Sequence, residues 1–223
     1  MEKYKIIDVK RSIFEDNDAD AEHLREEMKT QGIFLVNLMS SPGAGKTTTL
    51  VRTIEMLKDE LRIGVMEADI DSAVDAETIS ETGVRCIQIH TGGMCHLDAD
   101  MTRQGIRELG TGELDLVVLE NVGNLVCPAE FDTGAAKNVM ILSVPEGDDK
   151  PLKYPLMFTI CDAVLINKCD TLFVFDDFSV EKVRERIHAI NPDAEIFFVS
   201  AKTGEGFDAW TDWLRKQAGT FHK

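Results

Sequence analysis

The chain lacks any long apolar run. None approaches the roughly 20 consecutive apolar residues of a membrane-spanning helix, and the N-terminal "MEKYKIIDVK" has no apolar core of the kind a secretory signal carries. The expected compartment is therefore the cytoplasm, with no membrane partner. Basic residues are outnumbered: 24 Lys and Arg against 40 Asp and Glu give a formal net charge of -16. Such a surface repels phosphate backbones and argues against nucleic acid as a partner. Cysteine is scarce, with five residues and the first at position 86. An odd, scattered set in a chain without export features does not make a disulfide framework. Histidine is as rare: after His23 the next is His90. Aromatics are 7% of the residues.

What is present is a globular composition, 43% apolar over 223 residues, enough for one large domain with its own core. Seven short apolar runs recur at 33–39, 62–68, 86–90, 114–120, 138–144, 163–167 and 195–200. Most are continuously apolar, as in strands covered on both faces. Helical patterns intervene, as in "KTTTLVRTIEMLKDEL" and "SVEKVRERIHAI"; Ser179 fits an N-cap, whereas Lys182 rules out a capping box. The alternation predicts a doubly wound α/β domain with a mostly parallel sheet and helices on both faces. The segment "EDNDADAEHLREEMKTQG" reads as a charged helix ending at Gly32. It divides the chain into an N-terminal helical extension (1–31), expected on the sheet edge or on a second subunit, and a main domain (32–219).

Three motifs carry chemistry. "NLMSSPGAGKTTT" links a strand to a helix, as a phosphate loop must. Gly43, Ala44 and Gly45 allow close backbone approach, Lys46 suits the β- and γ-phosphates, Thr47 suits Mg²⁺, and Thr48 continues into a helix whose N–H groups face the phosphates. Ser40 stands where the phosphate-loop consensus has glycine. "INKCD" at a strand end fits the guanine motif through Asn167, Lys168 and Asp170, because one carboxylate can accept from both the N1–H and the 2-amino group of guanine. "VSAKTGEG" adds Ser200, Ala201 and Lys202 as the loop that backs the base. Between them, "LDLVVLENVGN" supplies Glu120 for Mg²⁺ and Gly123 as a γ-phosphate sensor. "MEADIDSAVDAET" supplies Asp69, Asp71 and Asp75, of which Asp69 is first choice for Mg²⁺ or the attacking water and Asp75 second. No Arg stands in the phosphate loop; Arg103 and Arg107 are the candidates for an internal finger.

The third motif, "TGGMCHLDAD", sets Cys95 beside His96 in a glycine-rich loop, and Cys127 lies in another loop after the next strand. Cys86 and Cys161 belong to apolar stretches and read as core. Thiolate and imidazole suit Ni²⁺ and Zn²⁺ alike. Adjacent residues diverge on any regular element, so Cys95 and His96 serve either different metals or one metal held by an irregular loop. Three ligands fall short of the four of a closed zinc site, so water or a second chain must complete it. Met94 reads as packing, and His90, His188 and His222 as structural or surface residues.

Taken in order, SSPGAGKT, EADI, GGMCH, ENVGNLVCP, NKCD and SAKTGEG resemble the hydrogenase nickel-incorporation GTPases of the HypB family, from about Asn17 to the last helix. The resemblance implies membership of the dimer-forming class of P-loop proteins. It also implies GTP hydrolysis with Mg²⁺ (Lys46, Asp69 and Glu120 as catalytic residues) and a Zn²⁺ or Ni²⁺ site of Cys95, His96 and Cys127 at the subunit interface. The implied partners are a nickel-accessory protein and the hydrogenase large-subunit precursor. Many family members carry an N-terminal Cys cluster or His-rich tract; this start has neither, so nickel storage is not expected. Competing readings are a urease-type accessory GTPase, a small-molecule kinase, and a metal-binding protein whose nucleotide is structural. The guanine motif weighs against the kinase.

Overall fold

A computed structural model describes the backbone of residues 9–69 and 74–221 and the side chains of 14–68 and 74–221. Seven strands, β1 (Phe34–Ser40), β2 (Ile63–Asp69), β3 (Arg85–His90), β4 (Leu116–Glu120), β5 (Lys137–Ser143), β6 (Ala163–Asn167) and β7 (Glu195–Phe198), form one sheet in the order β3-β2-β4-β1-β5-β6-β7. Every pairing is parallel. Each of the seven apolar runs is a strand, within a residue or two at its ends.

The helices are α1 (Val9–Thr30), α2 (Lys46–Leu57), α3 (Val74–Ser80), α4 (Ala99–Leu109), α5 (Cys127–Glu130), α6 (Lys150–Lys153), α7 (Pro155–Thr159), α8 (Val180–Ile190) and α9 (Phe207–Ala218). Successive side chains of a strand point to opposite faces, and β1 shows why its run is apolar on both faces apart from Asn37 and Ser40. Phe34, Val36 and Leu38 pack with α2 and α9, while Leu35 packs with α1 and α4, and Met39 with α7 and α8. Trp210 Nε1 donates to Thr53 Oγ1 at 3.0 Å, which joins α9 to α2 and satisfies the buried indole N–H. Ser179 caps α8, accepting from Lys182 N at 3.2 Å.

Helix α1 departs from expectation. It lies neither on a sheet edge nor apart from the main core: Leu24 and Met28 share a cluster with Ile106 and Leu109 of α4 and with Leu35 and Val117 of the sheet. Its apolar stripe is short but fully buried, and polar anchors finish the docking. Arg25 donates to both carboxylate oxygens of Asp132, at 2.9 and 2.7 Å, and to Ala135 O. Arg103 of α4 donates to Asp20 O, so it is anchored to α1. Gly32, at φ 71, closes the helix with the left-handed residue expected there. Among the described residues no helix is long and apolar enough to cross a membrane.

Candidate nucleotide and metal site

The functional side chains gather outside the carboxyl ends of the strands, where open α/β sheets bind ligands. The loop after β1 runs Ser41–Gly45 into α2, borders a cavity of about 440 Å³ and shares it with Asp75, Val122 and Gly123. Gly45 adopts φ +91, and a Cβ there would sit 2.5 Å from Asn167 Nδ2; only glycine fits both conditions. Ser40 is no defect in the loop, since it is 1% exposed and its hydroxyl donates to Ser41 O at 2.8 Å. A Cβ on Gly123 would lie 3.3 Å from Pro42, so the loop after β4 packs directly on the phosphate loop.

Glu120, fully buried at the end of β4, accepts from Lys46 Nζ at 2.9 Å and from Thr47 Oγ1 at 2.8 Å through one oxygen. Its second oxygen is buried without a hydrogen-bond partner. A buried, half-satisfied carboxylate beside a threonine hydroxyl is a donor set for a hard divalent cation, so the residues fit Mg²⁺. Asp75 lines the cavity. The Asp69 side chain and all of Asp71 lie outside the described residues. Glu67, the first residue of EADI, is 1% exposed and stands in register with Glu120 on the neighbouring strand.

At the other end of the loop is a cavity of about 240 Å³ lined by Gly45, Thr48, Asn167, Lys168, Asp170, Ala201 and Lys202. Five of these residues come from the two base motifs, and Thr171, next to Asp170, also lines the cavity. Asn167 is 2% exposed and spans the site: Nδ2 donates to Ala44 O at 2.9 Å, and Oδ1 accepts from Ala201 N at 3.1 Å. Lys168, held at φ 61, donates to Gly43 O at 2.7 Å. Ser200 Oγ donates to Asp170 at 2.7 Å and accepts from Thr203 N at 3.1 Å, which orients the carboxylate.

Cys95, His96 and Cys127 converge: one ligand atom from each lies within 4.8 Å of the others. The Cys95 and Cys127 sulfurs stand 2.9 Å apart as free thiols, and His96 Nδ1 is buried without a partner. One centre is therefore geometrically served by both neighbours in sequence, because residues 91–98 form an irregular loop with Gly92 and Gly93 at positive φ. The Cys95 thiol is raised above its usual range, first by the hydrogen bond with Cys127 and then by burial; burial lowers the His96 imidazole against the opposing pull of Asp98 and Glu130. Asn124 joins the two loops, donating to Cys95 O at 3.3 Å and accepting from Val126 N at 3.0 Å. Phe131 stacks on His96 with centroids 3.9 Å apart, and Phe14 of α1 packs on Phe131. Met94, expected to be packing, is 43% exposed. Of the two other cysteines expected in the core, Cys161 is 2% exposed, whereas Cys86 is only half-buried on the edge strand. Burial, with the charges of Glu67 and Glu120, pushes the Cys86 thiol up to about 11.

A parallel sheet, a glycine loop opening a helix and an asparagine-tethered base loop define the P-loop GTPase class. The Cys–His–Cys cluster on the loops after β3 and β4 narrows it. The family model described as "CobW/HypB/UreG, nucleotide-binding domain" matches residues 34–198, and the chain belongs to the HypB branch of that family. It is 47% identical over 98% of its length to the hydrogenase maturation factor HypB of Rhizobium leguminosarum bv. viciae, covering 73% of that protein. It is 40% identical over 96% of its length to the hydrogenase/urease maturation factor HypB of Helicobacter hepaticus, covering 88% of it. The crystal structure of HypB from Helicobacter pylori in complex with nickel superposes with a TM-score of 0.85 at 39% identity, over 93% of this chain and 97% of that one.

Proposed function

We propose that this chain is a GTP-hydrolysing metallochaperone that assists nickel insertion into a [NiFe]-hydrogenase precursor in the cytoplasm. It would use its nucleotide state to control the metal held by Cys95, His96 and Cys127. The observation that carries the reading is connectivity. Gly123, in contact with Pro42 of the phosphate loop, and Cys127 lie on one short connection after β4, so an order change at the γ-phosphate reaches a metal ligand through a few residues of backbone.

In this reading residues 32–219 are the GTPase domain and 1–31 its helical extension. Asp170 accepts from the guanine edge, backed by Ser200, Ala201 and Lys202, while Asn167 and Lys168 hold the phosphate loop beneath the base. Gly43, Ala44, Gly45 and Thr48 present backbone N–H groups to the phosphates. Lys46 exchanges Glu120 for the phosphates when GTP arrives. Thr47 and Glu120, with Asp69 and Asp75 as the remaining acids, would hold Mg²⁺, which supplies neutralisation of the charge that develops during phosphoryl transfer. With no guanidinium in the loop and Arg103 tied to α1, intrinsic hydrolysis is slow.

The metal is cargo, Ni²⁺ or Zn²⁺ by ligand chemistry. Three ligands leave an open, exchangeable position, and a second copy related by two-fold symmetry would close it from the same patch. Val74, Met94 and Val126, all more than 40% exposed, follow strand ends on this same edge, an apolar rim suited to a GTP-dependent homodimer. A nickel-accessory protein and the hydrogenase large-subunit precursor are the further partners. A urease client is the second reading, favoured by the Helicobacter hepaticus relative. The test is phosphate release in water without an acceptor. GTP should be hydrolysed and ATP left intact, and Lys46→Ala should be inactive. Equal turnover of ATP, or dependence on a small-molecule acceptor, sinks the GTPase reading.

A further inference from the structure

The phosphate loop is held from a second side by a residue that the nucleotide chemistry above does not use. The Oγ of Ser41 donates to Glu146 Oε1. The other oxygen of Glu146 accepts from Ser143 N at 2.8 Å and Ser143 Oγ at 2.7 Å, in a capping box at the end of β5. Lys150 Nζ stands 3.9 Å from Oε1, and the Glu146 side chain is only 15% exposed. The carboxylate is thus fixed by three donors from two chain segments, and charge-assisted bonds of this kind hold geometry well.

The position of Ser41 gives this anchor its meaning. The base cavity lies at the Gly45–Thr48 end of the loop, where Asn167 and Lys168 hold the carbonyls of Ala44 and Gly43. Ser41 and Pro42 lie at the opposite end, where the phosphate cavity is closed by Gly123 and Asp75. A nucleotide laid from one cavity to the other reaches Ser41 and Pro42 last, with its terminal phosphate. We propose that Glu146 is a positioning residue for that phosphate: through Ser41 it holds the far limb of the loop against Gly123 in the geometry that triphosphate, and not diphosphate, requires. The proposal rests on the GTPase reading and deepens it. Preorganised backbone donors act on the transition state more than on ground-state binding, so the signature is a loss of kcat with GDP affinity preserved.

The experiment compares the full-length wild type with Ser41→Ala, Glu146→Gln, the double variant and Ser143→Ala. It measures phosphate release from GTP, and the binding of fluorescent GDP and of a fluorescent non-hydrolysable GTP analogue. Ser41→Ala and Glu146→Gln should each lower kcat about tenfold, the effect of one lost charge-assisted hydrogen bond. The double variant should be no worse than either single one. GDP affinity should stay within about twofold while analogue affinity falls by more, giving a changed analogue-to-GDP ratio. Ser143→Ala removes one of the donors to Glu146 but leaves Glu146 on Ser41, so it should melt lower and lose less kcat than Ser41→Ala. Wild-type kcat in Ser41→Ala, multiplying losses in the double variant, or equal losses of GDP and analogue affinity would overturn the proposal. Ser41→Ala removes only a half-buried hydroxyl, so it carries the test even if Glu146→Gln folds poorly. A wild type that releases no phosphate would instead sink the GTPase reading, and the analogue-to-GDP ratio of Ser41→Ala would still decide this proposal.

Discussion

Removing the Asn167 side chain should unfasten the base loop from the phosphate loop, and the structure sets the size of the effect. Its amide makes two buried hydrogen bonds, to Ala44 O and from Ala201 N. In Asn167→Ala both backbone groups lose their partners. Each stranded group costs about 1–3 kcal/mol, a gross loss of roughly 2–6 kcal/mol. The vacated volume lies beside the base cavity, where water can enter and satisfy one group, so a net loss of about 3 kcal/mol is expected. For a domain of this size that corresponds to a fall in Tm of about 6–12 °C, read by thermal or urea denaturation without nucleotide. Guanine nucleotide affinity should fall in parallel, because Gly45 and Ala44 are no longer held beneath the base. Asn167→Asp keeps the acceptor for Ala201 N but turns a carboxylate toward Ala44 O, and should be at least as destabilised. A drop below about 2 °C in Asn167→Ala would show that the two bonds contribute little and that the loops are held by something else.

Two other outcomes are expected. Asp170→Asn turns one of two acceptors into a donor, so preference should move from GTP to xanthosine triphosphate in competition binding; a retained preference for GTP refutes the guanine assignment. Asn124→Ala cuts the tie between the two metal loops while leaving all three ligands in place. Metal affinity should fall about 10–100-fold, as for other residues that orient ligands, and an unchanged affinity by competitive chelator titration would show that the loops position themselves.

The central strands were legible because they are buried on both faces and therefore nearly continuously apolar, a pattern that polar side chains rarely interrupt, whereas the edge strands β3 and β7 are only half-buried. The exceptions to that pattern were the illegible part. Asn37 and Asn138 sit inside apolar runs and Asn121 follows one; Asn121 donates to Asn37 at 3.1 Å and Asn37 to Asn138 at 3.0 Å, a ladder across three strands with no signature in any one of them. Glu146 and Asn124 are likewise ordinary loop residues until the fold brings Ser41 and Cys95 beside them. The short helices α5, α6 and α7 escaped because four or five residues hold too little periodicity. Helix α1 is legible as a charged helix with a terminal glycine, but its docking is not: Leu24 and Met28 are a thin stripe in a charged segment, and the bonds of Arg25 to Asp132 and Ala135 span more than 100 residues. The three metal ligands were legible by residue type and loop setting. Their convergence on one centre depended on the irregular backbone of 91–98.

The coupling between the two sites is tested most directly by calorimetric titration of Ni²⁺ and Zn²⁺ into protein loaded with GDP and with a non-hydrolysable GTP analogue, with Cys95→Ala and Cys127→Ala as controls. Metal affinity should differ between the nucleotide states by a coupling of about 1–3 kcal/mol, roughly 5–150-fold, and by linkage the metal should shift analogue affinity by the same factor. Both controls should lose that metal site. Identical affinities in the two nucleotide states, or undiminished binding in both cysteine variants, would contradict the account.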